Sequence, residues 1–196
     1  MKCRGLTQLG VGCCVLITAV SAGWAQDPGA RARAILSDTS KSAPAAREAL
    51  LSLGNASINA VLDVLATEKD APQPRQAFLV GILGSLHSAQ GNRALRCTLD
   101  DARPLVRANA AIALAKNHEA CAVPRLLRLL DDPAEYGKEA STDPYTEKSL
   151  TVGAAAAKAL RMIIGESPRG SVGSLRSIAE SWWGRHERGL NCRSWN

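Results

Sequence analysis

The sequence contains few aromatic residues, which make up 4% of its 196 residues, although 46% of the chain is hydrophobic. The interior must therefore be built mainly from alanine, leucine, valine and isoleucine. Small side chains let helix axes approach closely, whereas sheet sandwiches favour β-branched and aromatic residues. The composition predicts an all-α protein, and the length suits one ordinary domain or one short solenoid.

The residue patterns of common enzyme classes are also missing. The sequence has no Ser-His-Asp motif, no glycine-rich phosphate loop and no pair of cysteines at zinc spacing. His118-Glu119 falls in a predicted turn, and His87 occupies a matching turn earlier in the chain. One or two ligands do not make a metal site. We therefore expect no metal, no cofactor and no catalytic residue.

The chain has only a modest excess of positive charge. Its formal net charge is +6, which falls to +4 if two bases near the start are removed with a signal peptide. Residues 131–147 carry a net charge of −5, and residues 148–196 carry +5. Basic charge attracts nucleic acid, anionic lipid or acidic protein. No aromatic-interleaved groove or nucleic-acid motif accompanies the charge, so we expect no nucleic-acid partner. The alternative is that these runs are ordinary solvated faces.

The first 25 residues have the organisation of a secretory signal peptide. A basic start is followed by an apolar stretch from Leu9 to Ala22 and by the small-x-small sequence Gly23-Trp24-Ala25. This order predicts cleavage near Ala25 and a periplasmic or secreted protein. A retained anchor is the alternative, because the uncharged run of residues 5–26 is 22 residues long and could just span a bilayer. We expect membrane contact only if this segment is retained.

The clearest internal pattern occupies residues 101–133, DARPLVRANAAIALAKNHEACAVPRLLRLLDDP. Pro104 suits the first turn of a helix. The alanine-rich segment that follows is apolar around most of the helix circumference. A second amphipathic helix is predicted from about Glu119 to Leu130. Two helices cannot bury all of their own apolar surface. The stretch therefore predicts further copies of itself along the chain.

Related patterns recur at similar intervals along the chain. A proline with an arginine three positions later occurs at Pro44/Arg47, Pro72/Arg75 and Pro104/Arg107, with offsets of 28 and 32. The alanine-leucine pattern returns from Val152 at an offset of 46, with Gly153 in place of the arginine. Offsets of 28 and 32 residues are typical of helix pairs, because each is about the length of two short helices and their turns.

This periodicity predicts about four helix pairs in residues 43–188. Residues 26–42 are expected to form a polar tether, with a short apolar patch that caps the stack. An acidic insertion, residues 132–147, is rich in turn formers and should be an exposed loop. The tail of residues 189–196 is expected to be loose.

The residues of the central unit closely resemble the HEAT-like repeat of bacterial proteins, the kind also found in phycobilin lyases. The resemblance rests on Asp101, Pro104, Val106-Arg107, Ala110-Ala111, Ala113-Leu114, Leu126-Leu127, Leu130 and Asp131-Asp132. It implies a right-handed stack of antiparallel helix pairs that usually serves as a binding scaffold, and it implies no particular ligand. Five of these positions are expected to be structural: Pro104, Val106, Arg107, Ala110 and Leu114.

Four arginines form the candidate binding surface. Arg93/Arg96 and Arg125/Arg128 are both i, i+3 pairs and occupy equivalent positions of successive units, so stacked second helices would place them side by side as a ladder. Arg176 is a candidate continuation. In proteins of this family that surface is usually concave, and the planar guanidinium suits carboxylates or phosphates. The alternative is that the ladder pairs with neighbouring acids: Asp100, Asp101, Asp131 and Asp132.

Two adjacent tryptophans lie in the last predicted helix, and they resemble the tryptophan-bearing closing helix of many bacterial proteins of this type. Trp182 falls on the apolar side of that helix and should be buried. Trp183 lies roughly 100° further round and is expected to be exposed. Trp183 is therefore a further candidate for contact with a partner.

Three cysteines remain after the predicted signal peptide, and an odd number leaves a free thiol or an intermolecular bridge. Cys97 and Cys121 are predicted several helical turns apart, beyond the roughly 7 Å Cα separation that a disulfide allows. Cys192, on the tail, could reach either of them. The alternative is three simple buried cysteines.

The sequence thus predicts an exported, non-catalytic scaffold that binds another protein or macromolecule. Two other functions stay open. One is an envelope protein that binds anionic lipid or glycan through the arginine ladder. The other is an accessory enzyme similar to a lyase or hydroxylase, by analogy with related helical-repeat proteins.

Overall fold

The computed structural model describes residues 27–139, 148–165, 171–190 and 192. In these ranges the chain is mostly helical, which confirms the predicted class, but a small two-stranded sheet is added. The elements in chain order are α1 Pro28–Ser37, α2 Ala43–Ser52, α3 Ala56–Thr67, α4 Gln73–Ser85, α5 Ala89–Thr98, α6 Pro104–Lys116, α7 Val123–Leu129, β1 Glu135–Glu139, β2 Lys148–Thr151, α8 Val152–Ile164 and α9 Val172–His186. Short 3₁₀ turns at Ala120–Ala122 and Glu187–Gly189 precede α7 and follow α9.

The helices form two rows that alternate along the chain. In the first row α2 contacts α4, α4 contacts α6 and α6 contacts α8. In the second row α1 contacts α3, α3 contacts α5 and α7 contacts α9. The rows meet in a core of small and aliphatic side chains, because neither row can cover its own apolar faces. Each helix of the first row contributes a leucine with 0% exposure: Leu50, Leu83, Leu114 and Leu160.

Close backbone approach between α4 and α6 explains why the core uses so many small residues. A Cβ atom added at Gly84 would lie 2.5 Å from the Cβ of Ala113. The expected structural positions Val106, Ala110 and Leu114 are all fully buried. Pro104 opens α6, as predicted.

A left-handed backbone residue follows every helix of the first row. These residues have φ values of 55°, 46°, 49° and 76° at Gly54, His87, His118 and Gly165 respectively. A left-handed residue is a common way to end an α-helix, and glycine adopts it most easily. The left-handed turn therefore recurs once in each unit of the sequence pattern. His87 and His118 occupy structural positions in these turns.

Arginines and carboxylates connect the turns that precede successive first-row helices. We define the turn edge by Arg75, Arg103, Arg107, Asp101 and Asp132. Arg75 Nη2 donates to Leu36 O at 2.8 Å, and Arg103 Nη1 donates to Lys69 O and Ala71 O, each at 3.1 Å.

Arg107 also joins backbone carbonyls and a carboxylate at the turn edge. Its Nη1 donates to the carbonyl oxygens of Asp101 and Ala102 at 2.7 and 2.9 Å, and its Nη2 lies 2.8 Å from Asp132 Oδ2. The turn edge is therefore held by charge-assisted hydrogen bonds to backbone carbonyls and carboxylates. The structural role expected for Arg107 agrees with these contacts.

The prediction of a polar tether at residues 26–42 is wrong for residues 28–37, which form α1, whereas the apolar patch expected to cap the stack does pack on it at Leu36. Asp27 caps α1 by accepting hydrogen bonds from Gly29 N–H and Ala30 N–H at 3.0 and 3.1 Å. Ala32 and Leu36 of α1 are buried, and the helix packs on α3. The first helix pair would otherwise expose its apolar flank, which α1 covers.

The expected loop at residues 132–147 is also partly wrong. Its first half contains β1, which pairs antiparallel with β2 in a register that sets Lys138 opposite Ser149. Residues 140–147 lie outside the described part of the chain. The hairpin brings α8 back against the stack, since Val152 N–H donates to Ala134 O at 3.0 Å and Gly153 N–H to Asp132 O at 2.9 Å.

The predicted signal peptide, residues 1–25, lies outside the described residues. Within the ranges that are described, no helix has the length and apolar character needed to cross a membrane.

Candidate functional site

A cleft of about 960 Å³ lies between α5, α7 and the chain that follows α9. Of the lining residues that the structure describes, five are arginines and one is an acid, Glu187, so their net charge is +4. The arginines are Arg93, Arg96, Arg125, Arg128 and Arg188. The structure therefore brings all four residues of the expected ladder to one concave surface and adds a fifth cation.

Arg96 forms the fixed floor of this cleft. Its side chain is 8% exposed, and its Nη1 lies 3.4 Å from Glu119 Oε1. Asn92 Nδ2 donates to the other oxygen of Glu119 at 3.0 Å, and Asn117 Nδ2 donates to Asn92 Oδ1 at 2.6 Å. Burial lowers the pKa of Arg96, and the carboxylate of Glu119 opposes that shift. An arginine keeps its proton in proteins, so this floor is a buried cation held by a carboxylate and amides.

Arg125 and Arg128 lie higher on the wall and share one carboxylate. Arg125 Nη1 is 3.2 Å from Asp100 Oδ2 and also donates to the carbonyl oxygen of Arg96, while Arg128 Nη2 is 3.9 Å from Asp100 Oδ1. The side chain of Asp100 is 57% exposed and that of Arg128 is 68% exposed. Exposed ion pairs of this kind contribute little, so an incoming anion can compete with Asp100 for these guanidinium groups.

The alternative of pairing with neighbouring acids is thus correct in part. Asp100 pairs with ladder arginines, but Asp101 and Asp132 pair with Arg103 and Arg107 of the turn edge. Glu119, which the sequence-based set of partners did not include, is the partner of Arg96. The signal that could have found it was its place at the start of the second helix of the central unit, which stacks beside the helix that carries Arg96.

Arg176 does not extend the ladder, and that expectation is wrong. Its Nη2 lies 2.6 Å from Asp131 Oδ2, and the residue is not part of the cleft lining. Arg176 lies in the first half of α9, whereas the cleft is built on the end of that helix. One helical residue advances only about 1.5 Å along the axis, so Arg176 is too far back to reach the cleft.

The two tryptophans differ from the sequence-based expectation. Trp182 is only partly buried, and its indole stacks on the imidazole of His186 with ring centroids 4.3 Å apart. Trp183 is also partly buried and lines the cleft beside the arginines. Since α9 ends its row, no following helix of the described chain covers the outer side of Trp182.

A disulfide joins the tail to the start of the α7 segment. Cys121 and Cys192 are bonded, with Cα atoms 5.6 Å apart, while Cys97 is a free and exposed cysteine. The expectation that Cys192 could reach one of the other cysteines is confirmed for Cys121. The alternative of three buried cysteines is wrong, and so is the expectation of a loose tail for residues 189, 190 and 192. A disulfide closing a loop of this length constrains the unfolded chain strongly. It explains why Glu187, Arg188 and Leu190, which sequence reasoning missed, line the cleft.

The described residues contain no group of three or more histidine, cysteine, aspartate or glutamate side chains placed to hold a metal ion. Comparison of the chain with protein-family models finds no match, and comparison with curated proteins finds no significant match.

Proposed function

We propose that this chain is an exported HEAT-like helical-repeat scaffold whose arginine-lined cleft binds an acidic segment of another protein. The observation that carries the proposal is the convergence of five arginines and Trp183 on one cleft that contains one acid among its lining residues. Guanidinium groups bind carboxylates with paired, directional hydrogen bonds. An acidic segment therefore matches the cleft in charge and in hydrogen-bonding chemistry.

The alternation of two helical rows supports the HEAT-like interpretation. The recurrence of a left-handed residue after α2, α4, α6 and α8 adds a backbone feature that follows the same period as the sequence. Repeat scaffolds of this kind present extended surfaces for partners rather than enclosed reaction chambers. A non-catalytic binding role follows from this interpretation.

The Cys121–Cys192 disulfide supports export. Structural disulfides form and persist in oxidising compartments, such as the periplasm or the extracellular space, and they are rare in the cytosol. A periplasmic or secreted location is therefore part of the proposal, with the signal peptide removed near Ala25.

The concavity of the site favours a protein segment over a membrane. Arg96 lies at the floor of the cleft and is 6% exposed as a residue, so only a ligand that enters the cleft can contact it. A lipid bilayer presents its anionic headgroups as a broad surface, which suits a flat or protruding basic face. Binding to anionic lipid is an outcome that the following experiment distinguishes.

The test compares two variants of the full chain that lose the same charge. The cleft variant changes Arg93, Arg125, Arg128 and Arg188 to Gln. Arg96 is kept, because removing it would leave the half-buried carboxylate of Glu119 without its cation. The control variant changes Arg31, Arg33, Lys69 and Arg185 to Gln, at exposed positions outside the cleft.

Binding is measured by fluorescence anisotropy of a labelled decaglutamate peptide, with decaglutamine as the neutral probe and phosphatidylglycerol vesicles as the lipid probe. We expect the cleft variant to bind decaglutamate about tenfold more weakly or worse, a loss of about 1.4 kcal/mol, while the control variant stays near the parent chain. Equal losses in the two variants, or equal binding of decaglutamine, would refute the cleft as an acidic-segment site. Binding to the vesicles without binding to decaglutamate would indicate that the ligand is a lipid and not a protein segment.

A further inference from the structure

All three cysteines outside the predicted signal peptide line the same cleft. Cys121 and Cys192 form the disulfide, and Cys97 presents a free thiol from the last turn of α5. A free cysteine is ordinarily among the most buried residues in a protein, whereas Cys97 is exposed. A free, exposed thiol and a disulfide therefore line one open cleft.

The two partners of the disulfide are held in different ways. Cys121 lies in the 3₁₀ turn Ala120–Ala122, which is continuous with α7 and packed against the stack. Cys192 lies on the tail, where Leu190 N–H donates to Glu187 O at 3.2 Å and Cys192 N–H donates to Leu190 O at 2.9 Å. These bonds are local to the tail and move with it. The disulfide is thus the covalent link that fixes the position of Cys192 against α7.

We propose that Cys97 is a thiol–disulfide exchange site whose reaction partner is the Cys121–Cys192 disulfide. An external thiolate of the glutathione class first attacks the sulfur of Cys192, and Cys121 leaves with the electron pair of the broken bond, which releases the tail from α7. The Cys97 thiolate then attacks the same sulfur of Cys192, a Cys97–Cys192 bond forms, and the external thiolate leaves. The proton that Cys97 releases is taken up by Cys121, so no oxidant or reductant is consumed. This inference does not depend on what the cleft binds.

Attack at Cys192 is favoured over attack at Cys121 because of where the residues are attached. Cys97 and Cys121 both belong to helical elements of the packed stack, and a disulfide requires Cα atoms within roughly 7 Å. Cys192 lies on the tail, so bonding it to Cys97 requires the tail to move once its bond to Cys121 is open. Arg188 and Leu190 would move with it, so the exchange would change one wall of the cleft.

Acidic thiols and disulfides are the external reagents that suit this site. The lining arginines attract anions, and glutathione carries two carboxylates and an amine. A glutathione buffer therefore serves to reach exchange equilibrium in the test. Exchange rates depend on access to the sulfur as well as on its thiolate content.

The experiment maps disulfides in the full folded chain after incubation in a glutathione redox buffer. Trypsin places the three cysteines in separate peptides, residues 97–107, 117–125 and 189–193, because it cuts after lysine and arginine but not before proline. Acid quenching and alkylation, followed by mass spectrometry, identify which pairs are bonded. We expect a Cys97–Cys192 product that appears together with alkylated Cys121, in a chain whose circular dichroism is unchanged.

Two variants test the reach of the tail directly. In Cys121→Ser we expect Cys97 and Cys192 to bond on oxidation with glutathione disulfide, and in Cys97→Ser only the Cys121–Cys192 pair should be found. The proposal is overturned if the parent chain keeps Cys121–Cys192 intact while Cys97 is found only as a free thiol or a glutathione adduct. It is equally overturned if Cys121→Ser leaves Cys97 and Cys192 unbonded to each other.

Discussion

Arginines at the turn edge and arginines in the cleft occupy the same stack and recur at the same spacing, but their contacts differ. Arg107 at the turn edge is 13% exposed and binds two backbone carbonyls and a carboxylate. Arg128 in the cleft is 68% exposed, and its nearest carboxylate oxygen, on Asp100, is 3.9 Å away. The turn-edge arginines stabilise the junctions between helix pairs, whereas the exposed Arg128 can still bind a ligand.

This difference shows that residue type and repeat spacing alone do not reveal whether an arginine stabilises the fold or binds a ligand. Charge-assisted hydrogen bonds to carbonyls in a water-poor junction are strong and costly to lose. Exposed ion pairs are weak and screened by salt. Mutations in the two regions should therefore affect stability and binding in opposite proportions.

The largest expected effect is on stability at the turn edge. Arg107→Ala removes the donors to Asp101 O and Ala102 O and leaves the carboxylate of Asp132 without that partner. We expect a loss of about 2–3 kcal/mol in the free energy of unfolding, measured by urea denaturation. The matched change in the cleft, Arg128→Ala, should cost less than about 1 kcal/mol. Equal losses in the free energy of unfolding of the two variants would contradict the proposed difference between the turn edge and the cleft.

A somewhat smaller effect is expected where α8 meets the turn edge. A Cβ at Gly153 would lie 2.5 Å from Leu130 O and 3.1 Å from Asp132 O, so Gly153→Ala must displace backbone and should cost about 1–3 kcal/mol. Gly184 in α9 has no atom within 4 Å of an added Cβ. Gly184→Ala should instead stabilise the protein by about 0.5–1 kcal/mol, because alanine favours the helix. Thermal melts of the two variants decide the sign, and a destabilised Gly184→Ala would contradict the comparison.

The smallest expected effect is a pH dependence of folding stability that is due to Asp101. Hydrogen bonds from the side chain of Arg103 lower the pKa of Asp101, although burial opposes the shift. Because the pKa is lower in the folded than in the unfolded chain, the ionised carboxylate stabilises the fold above its unfolded pKa of about 3.9. This contribution is lost as the pH falls through the folded pKa. The stability deficit of Asp101→Asn should therefore be larger at pH 7 than in strong acid.

Urea denaturation of the parent chain and Asp101→Asn across acidic pH measures this deficit. The control is the same pair in an Arg103→Ala background, where most of the pH dependence should disappear because the main donor is absent. A deficit that stays constant down to pH 2 would contradict the assignment.

Much of the helical architecture follows from the sequence. Pro104 opens α6 as predicted, and α7 with the 3₁₀ turn before it lies within the predicted span from about Glu119 to Leu130, because proline, turn residues and apolar periodicity act locally. The four ladder arginines were found for the same reason, since their spacing fixes one helix face. Their convergence on a single cleft depends on contacts between α5 and α7, such as the hydrogen bond from Arg125 Nη1 to Arg96 O.

The errors lie where contacts are distant in sequence. The sequence of residues 26–42 predicts mainly a polar tether with a short capping patch, but a whole helix, α1, forms there because Ala32 and Leu36 are buried against α3. The β1–β2 hairpin forms across an insertion whose turn-rich composition indicates a loop. The tail contributes Arg188 to the cleft because a disulfide joins residues 71 positions apart.

The sequence by itself determined that alanine and leucine, repeated at helical spacing in units the length of a helix pair, form short helices that must cover one another. It also determined which arginines share a helix face, because rotation per residue is a local property of the backbone. Only the tertiary structure decided which arginines bind carbonyl oxygens at the turn edge and which line the cleft. That outcome depends on side chains from neighbouring units meeting in space, and no local pattern encodes which of them arrive together.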